Sequence, residues 1–345
     1  REDEHSRYEM TFVKTNQTEL RAVSSSSINQ EEYAQKAKHF LQQAQHVGAR
    51  TSGRKARHDD NQLLLSYPSA SELQTKHEIE LSLQAAEHFR IAGEHYWFDS
   101  SKSYALAAAL YSEDLKDPNR AAELFTEAGI VSEKVDSDFA NEYYRKAITH
   151  HCDASDYNEA AMLEERMAKN HCKKNDYDAS IEEYTRATKL YTAANMHGSA
   201  DRTLDCTAYL LGKAGRVRDS AYAYQSNAIS QAKQNMKKFN VPSIMLRAGM
   251  LLLADRLHQS PDLDFSEIRQ MMEEIYSLDC RFEESREHLF LADMMQCVVH
   301  GDVDKFADCL YSFNKITEFD DLMLDALEVV KKVIVERAEK SNGDK

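Results

Sequence analysis

Across 345 residues the chain has only 4 prolines and 10 glycines, the two residues that most readily stop a helix. What fills it instead, Ala, Glu, Lys, Leu and Gln, are strong helix formers. From Asp99 onward one pattern renews itself roughly every 20 residues, a helix followed by a fresh start signal. The starts fall near Asp117-Pro118, Asp138, Asp156, Asp176, Gly198 and Arg216. Asp beside a helix start accepts from unpaired backbone N–H groups, and Pro at the first position lacks an N–H that would go unbonded. Small residues recur where helices must approach closely: Ala121, Ala122 and Ala128, Ala160, Ala161 and Ala168, then Ala179 and Ala187. Asp-Tyr-x-x-Ala at 156–160 has a near copy in Asp-Tyr-Asp-Ala at 176–179.

Two helices make a unit of about 40 residues, longer than the 34 of a tetratricopeptide repeat, and that repeat's Trp-x-x-Leu-Gly-x-x-Tyr signature is missing. One hairpin cannot bury its apolar stripe alone; stacked hairpins bury a continuous core. The expected fold is all-α: a right-handed α–α superhelix of tetratricopeptide-like hairpins over 99–260, closed by a C-terminal helical bundle over 261–340 and a tail at 341–345. The bundle's expected core stripes are Ile268, Met271, Met272 and Ile275; Leu289, Ala292, Met295, Val298 and Val299; Phe306, Leu310 and Phe313; and Leu324, Leu327, Val330 and Ile334. Residues 1–29 are polar and read as a flexible lead, and Arg1 in place of Met reads as a processed or truncated start. Residues 30–98 hold the first helices, with Gln30–Gln45 helical by its apolar spacing.

Residues 46–71 interrupt that regularity with Gly48, Gly53 and Pro68, and a long loop in a helical chain is usually functional or disordered. It carries Arg50, Arg54, Lys55 and Arg57, then Leu63, Leu64, Leu65 and Tyr67. The basic residues suit anionic head groups at about 1 kcal/mol each. Shallow insertion of the leucines adds roughly 1.5–3 kcal/mol apiece, which gives reversible attachment. The alternative is that the leucines fold back onto the first helices.

Formal net charge is −15, and it is unevenly spread. From Lys213 to Arg247 there are 7 basic residues and 1 acidic; from Asp262 to Glu328 there are 18 acidic and 5 basic. That asymmetry suggests one acidic and one basic partner, and the net acidity speaks against a nucleic-acid binder. Cys152, Cys172, Cys206, Cys280, Cys297 and Cys309 show no framework spacing, so reduced thiols and a cytoplasmic location fit best. The longest apolar run, 244–254, is too short to span a bilayer.

Catalytic patterns are thin. His150-His151-Cys152 and His171-Cys172 have a metal set's composition, but adjacent helical residues point about 100° apart. They read as surface histidines and core thiols. Glu164-Glu165 and Glu182-Glu183 read as solvating charges on polar helix faces. There is no phosphate loop, dinucleotide fingerprint or nucleophile elbow, so no cofactor, metal or small-molecule substrate is expected.

Within 55 residues, Leu278 to Lys332, three motifs follow in order: Phe-Glu-Glu-Ser-Arg-Glu at 282–287, Gly-Asp-Val-Asp-Lys-Phe at 301–306, and a closing amphipathic helix with Lys331 and Lys332. This stretch resembles the C-terminal bundle of the soluble NSF attachment proteins, the SNAP adaptors of membrane fusion, in a divergent alpha- or gamma-like form. The resemblance runs from about Gln30 to Ile334. It implies a non-enzymatic adaptor built of α-hairpins, with a basic concave face on SNARE bundles and an acidic C-terminal end on the hexameric ATPase NSF. It also implies a loop between the first two helices that touches the bilayer, hence peripheral membrane association.

The family's basic SNARE-facing positions fall on Lys134 and Arg202; two others fall on Asp156 and Met162, which carry no positive charge. SNARE contact then draws also on Lys173, Lys174, Lys213, Arg216 and Arg218, an inference from local charge. The NSF-docking set is expected at Asp279, Glu283, Glu284, Glu287, Asp320 and Asp321. The family's Leu-Asp-x-Trp appears as Phe319-Asp320-Asp321-Leu322, without Trp. The leucine that alpha-type members carry next to the end has no counterpart in 342–345, which leaves ATPase stimulation outside what the resemblance implies. Two further readings stay open: a generic tetratricopeptide-like scaffold for an unrelated partner, and an enzyme built on an α-solenoid.

Overall fold

The computed structural model describes residues 30–52, 70–234, 238–259 and 264–343. They form fourteen α-helices and no strand. In chain order these are α1 (Gln30–Ser52), α2 (Ala70–Ala92), α3 (Trp97–Glu113), α4 (Pro118–Glu133), α5 (Ser137–Asp153), α6 (Tyr157–Lys173), α7 (Tyr177–Ala193) and α8 (His197–Lys213). Then come α9 (Val217–Ala232), α10 (Val241–Gln259), α11 (Ser266–Leu278), α12 (Arg286–His300), α13 (Val303–Asn314) and α14 (Asp321–Gly343). The chain divides into two compact units, Arg1–Ser155 and Asp156–Lys345.

The 20-residue rhythm has a backbone cause. Ser155, Asn175, Asn195 and Gly215 all adopt positive φ, at 62°, 58°, 58° and 78°. Each ends a helix with one left-handed residue, the standard way to close a helix C-terminus. The next helix starts at once. Asp117, Asp136 and Asp176 accept from Arg120, Asp138 and Ala179 backbone N–H groups at 3.1, 2.8 and 3.2 Å. The 40-residue unit also reappears as a pair of hydrogen bonds. Buried Ser180 donates to the Ala168 carbonyl at 2.8 Å, and 40 residues on Ser220 donates to Ala208 at 2.6 Å. A buried hydroxyl needs such a partner, and a small side chain lets the helices close on it.

In the first unit α1 to α5 pack each on its predecessor. Its interior is alanine with a few aromatics: Ala37, Ala85, Ala86, Ala107, Ala108, Ala121, Ala122 and Ala128 are fully buried around Phe89, Tyr104 and Tyr144. Tyr144 lies on Gly129 so closely that any Cβ there would clash with its ring. The first helix does not stop at Gln45 as expected. It continues to Ser52 because Gly48 is helical, and a Cβ there would come within 2.5 Å of the Glu78 carboxylate on α2. Close approach, not a turn, explains that glycine.

In the second unit α6 to α10 again pack in series, and α10 then meets α14, α12 and α11. One apolar cluster runs from Ala208 and Tyr224 through α10 to Ile334. Three of the expected stripes hold, in α11, α13 and most of α14. The α12 stripe holds in part: Met295 and Val298 are buried as expected, but Leu289 and Val299 are 55% and 41% exposed, and Phe290, Leu291, Met294 and Cys297 are buried as well. Leu324 in α14 is likewise exposed, at 54%.

Candidate partner-binding surfaces

Lys134, in the first unit, caps the end of α4 and holds its Nζ 4.8 Å from the centroid of the Trp97 ring, a cation–π contact. It is exposed. The other residues of the expected SNARE-binding set lie in the second unit, and the fold treats them unequally. Lys173 and Lys174, at the end of α6, are exposed. Arg216 is exposed and pairs with Asp219 one turn on, at 2.8 Å. Such a surface pair contributes about 0–1 kcal/mol and exchanges readily.

Arg202, Lys213 and Arg218 are engaged more deeply. Arg202 on α8 makes a two-pronged contact, 2.7 and 2.8 Å, to Glu165 on α6. Lys169 also reaches Glu165 at 2.7 Å, and Tyr191 donates to it at 3.1 Å. Burial pushes the Glu165 carboxyl up, but the bonds from Arg202 and Lys169 outweigh it and hold the pKa below the ordinary carboxylate range. Arg218 on α9 donates from Nη2 alone to both carboxylate oxygens of Glu267 on α11, at 2.6 and 2.8 Å, and leans on Asp255 at 3.5 Å.

Lys213 meets Asp321, one of the residues expected to dock the ATPase, at 2.8 Å. Tyr209 donates to the same carboxylate at 2.9 Å, and the Lys213 bond is the main reason that Asp321's pKa is lowered. Asp320 accepts from Arg247 at 2.9 Å and from the Met323 backbone N–H at 2.9 Å, so it also caps α14. Lys213 on α8 and Arg247 on α10 thus hold the acidic start of the last helix, at the place where the Phe-Asp-Asp-Leu motif stands. Leu322 completes the seat: its side chain lies where a Cβ on Gly212 would come within 2.6 Å. Arg247 was not singled out by sequence, since it sits in an apolar run whose charge looked incidental.

The rest of the acidic set lies around the 282–287 knuckle. Asp279 accepts from Arg281 at 2.9 and 2.8 Å, Glu283 and Glu284 are exposed, and Glu287 approaches Arg286 at 3.2 Å. Beside them Arg286, Leu289, Phe290, Asp293, Asp308 and Phe313 line a shallow groove between α12 and α13. Of the expected membrane segment, Arg54, Lys55, Arg57, Leu63, Leu64, Leu65 and Tyr67 lie outside the described residues, as does the side chain of Arg50.

Of the acidic pairs read as solvating charges only Glu182 is solvated, at 73% exposed. Glu164, Glu165 and Glu183 are 6%, 5% and 2% exposed. Arg186 serves Glu164 at 3.3 Å and Glu183 at 3.0 Å from its Nε. Burial first, and the neighbouring Glu183 second, push the Glu164 pKa up to about 8. The histidines differ from expectation too: His151 is buried, and His150 stacks on Phe125 at 5.6 Å. All six cysteines are free thiols. Among the described residues no group of His, Cys, Asp and Glu is placed to hold a metal ion, and no helix is long and apolar enough to cross a membrane.

Known proteins resemble this chain along most of its length. It is 24% identical over 250 residues to a probable vesicular-fusion protein sec17 homolog of Neurospora crassa, covering 72% of this chain and 82% of the relative. The alpha-soluble NSF attachment protein of Vitis vinifera is 22% identical over 252 residues, 73% of this chain and 83% of its own. A probable sec17 homolog of Schizosaccharomyces pombe is 22% identical over 280 residues, 74% and 86%. The family model for the soluble NSF attachment protein, SNAP, matches residues 36–335, and the chain therefore belongs to the SNAP family.

Proposed function

We propose that this chain is a SNAP-type adaptor of vesicle fusion and intracellular transport, which binds SNARE complexes and recruits the NSF ATPase that disassembles them. The observation that carries this reading is the family match from residue 36 to 335, supported by relatives described as vesicular-fusion proteins. An adaptor of this kind catalyses nothing. It works by complementarity of charge and shape, which sets association rate and salt sensitivity more than affinity. Several copies on one SNARE bundle, tethered to a membrane through residues 46–71, gain strength by avidity. Its place is the cytoplasmic face of membranes, held peripherally.

Lys134, Lys173, Lys174 and Arg216 lead the SNARE contact, because they are exposed, whereas Arg202, exposed too, is tied to the buried Glu165. Arg202, Lys213 and Arg218 add to it only by sharing or exchanging the carboxylates that already hold them. Glu283, Glu284 and Glu287, with the groove between α12 and α13, form the docking surface for NSF.

The test is co-sedimentation with SNARE complexes and NSF at low and high salt. Binding is expected at low salt and should weaken as salt rises. The triple variant Lys173→Glu, Lys174→Glu, Arg216→Glu should lower SNARE affinity by about tenfold or more with its helicity unchanged, since these side chains lie at the surface. Reversing Lys213 or Arg218 instead would confound binding with loss of internal ion pairs. A purified chain that binds neither partner at low salt overturns the reading.

A further inference from the structure

Two side chains 31 residues apart meet in the fold. Arg286, from the knuckle at 282–287, opens α12, and its Nη2 donates to Thr317 Oγ1 at 2.6 Å. Thr317 stands in the connection between α13 and α14. The guanidinium lies 4.5 Å from the centroid of the Phe313 ring, which holds its plane in place. Its ion-pair partner among the described residues, Glu287, is 3.2 Å away.

Thr317 begins the run Thr-Glu-Phe-Asp-Asp. A hydroxyl followed by carboxylates at the first, third and fourth positions is the pattern that protein kinases with a basic substrate groove select, by charge complementarity. The spacing alone is common and says little. Structure separates the instances: among the described side chains a carboxylate at the third position alone recurs at Thr75 and Ser180, which are 6% and 0% exposed. Thr317 is half-buried, between exposed Ile316 and Glu318.

We propose that Thr317 is a phosphorylation site for an acid-directed serine/threonine kinase, with Arg286 as the receiver of the phosphate. The γ-phosphoryl group of ATP passes to Thr317 Oγ1. The new O–P bond forms as the bond to the β,γ-bridging oxygen breaks, the hydroxyl proton goes to the kinase's base, and ADP leaves. The product carries about −1.5 to −2 charge with three strong acceptor oxygens. A neutral hydroxyl on Arg286 becomes a charge-assisted pair, a stronger bond. The charged groups around the site are Arg286 and Glu287 on α12, with Lys315, Glu318 and Asp320 in the connection. Lys315 is drawn over the Tyr311 ring at 4.2 Å, and Asp320 is already balanced by Arg247. Arg286 is therefore the cation in contact, and phosphorylation fastens the connection to α12 while adding negative charge to the acidic end. The site stands whichever partner that end serves.

The experiment incubates the full chain with ATP and an acid-directed kinase, maps phosphate by mass spectrometry, and titrates the phosphate by phosphorus NMR. Phosphate is expected at Thr317 in the native protein, lost in Thr317→Ala and kept in Thr317→Ser. Its second ionisation is expected below the ordinary value of about 6, moving back up in Arg286→Gln. No phosphate at Thr317, under conditions where an acidic control peptide is fully labelled, overturns the site. A titration unchanged by Arg286→Gln overturns the role of the arginine.

Discussion

The helices α6–α8 and α10–α14 belong to one compact unit and are held by different forces. In α6–α8 the buried set includes Glu164, Glu165, Asn170, Glu183, Asp201, Thr203 and Thr207. Six of its thirteen buried apolar residues are alanine, which has little area to hide. Arg186 and Arg202 join the helices there through carboxylates that water barely reaches. From Val241 onward every described buried side chain is apolar, with Leu, Met, Phe and Ile predominating. The difference teaches which interaction decides what. Apolar area stabilises without regard to direction, so α10–α14 gain strength from it. A two-pronged Arg–Glu contact exists at one relative placement only, so in α6–α8 such contacts select the register of thin, alanine-faced helices.

The comparison breaks most sharply at its apolar end. Leu253, fully buried in α10, should cost about 2–5 kcal/mol when replaced by Ala, read from urea unfolding by circular dichroism, and the loss should not depend on salt. A loss well under 1 kcal/mol would mean that this core is loosely packed. On the polar side, Arg202→Met should cost less, about 1–3 kcal/mol, because Lys169 and Tyr191 still hold Glu165 when the guanidinium is gone. Adding Glu165→Met to it should restore most of the loss, since the cost comes from a buried charge left short of partners. If the double variant is no better than the single one, the fork stabilises in its own right and the division of labour fails.

Much of the fold was legible in the sequence, because its signals are local. The 20-residue rhythm, the Asp117-Pro118 start and the alanine positions depend on neighbours within a few residues. What escaped depends on distance. Glu164 and Glu165 look like surface charges until Arg186 and Arg202, 22 and 37 residues on, close over them. In the α12 stripe Met295 and Val298 are buried as read, but Leu289 was misplaced because Leu289-Phe290-Leu291-Ala292 is apolar all round, and periodicity cannot choose a face in such a run. At the candidate surfaces the sequence separated a basic zone from an acidic end and suggested two partners. Lys213 and Asp321, 108 residues apart, show that the two zones partly neutralise each other. Which basic residues are exposed and which are engaged was invisible, since it turns on ion pairs formed only in the fold.

The smallest effect expected is a pH dependence confined to the polar seam. Glu164 and Glu183 share Arg186, and burial raises the pKa of Glu164 to about 8. A carboxyl whose pKa is raised on folding binds its proton more tightly in the native state, so between the ordinary carboxylate range and pH 8 the native chain holds a proton that the unfolded chain has released. Stability therefore falls as pH rises through that window. Arg186 is half exposed and lets water relax around the pair, which limits the effect to about 1 kcal/mol, or roughly 2–4 °C in the unfolding midpoint. Calorimetry from pH 6 to pH 9 should show that fall in the parent and a flatter profile in Glu164→Gln, which carries no charge at any pH. The Leu253→Ala variant, lowered throughout, should keep the parent's slope, because its defect lies in α10 where nothing buried titrates in this range. A slope that survives in Glu164→Gln would place the titrating group elsewhere and remove the polar seam's distinction from the apolar core.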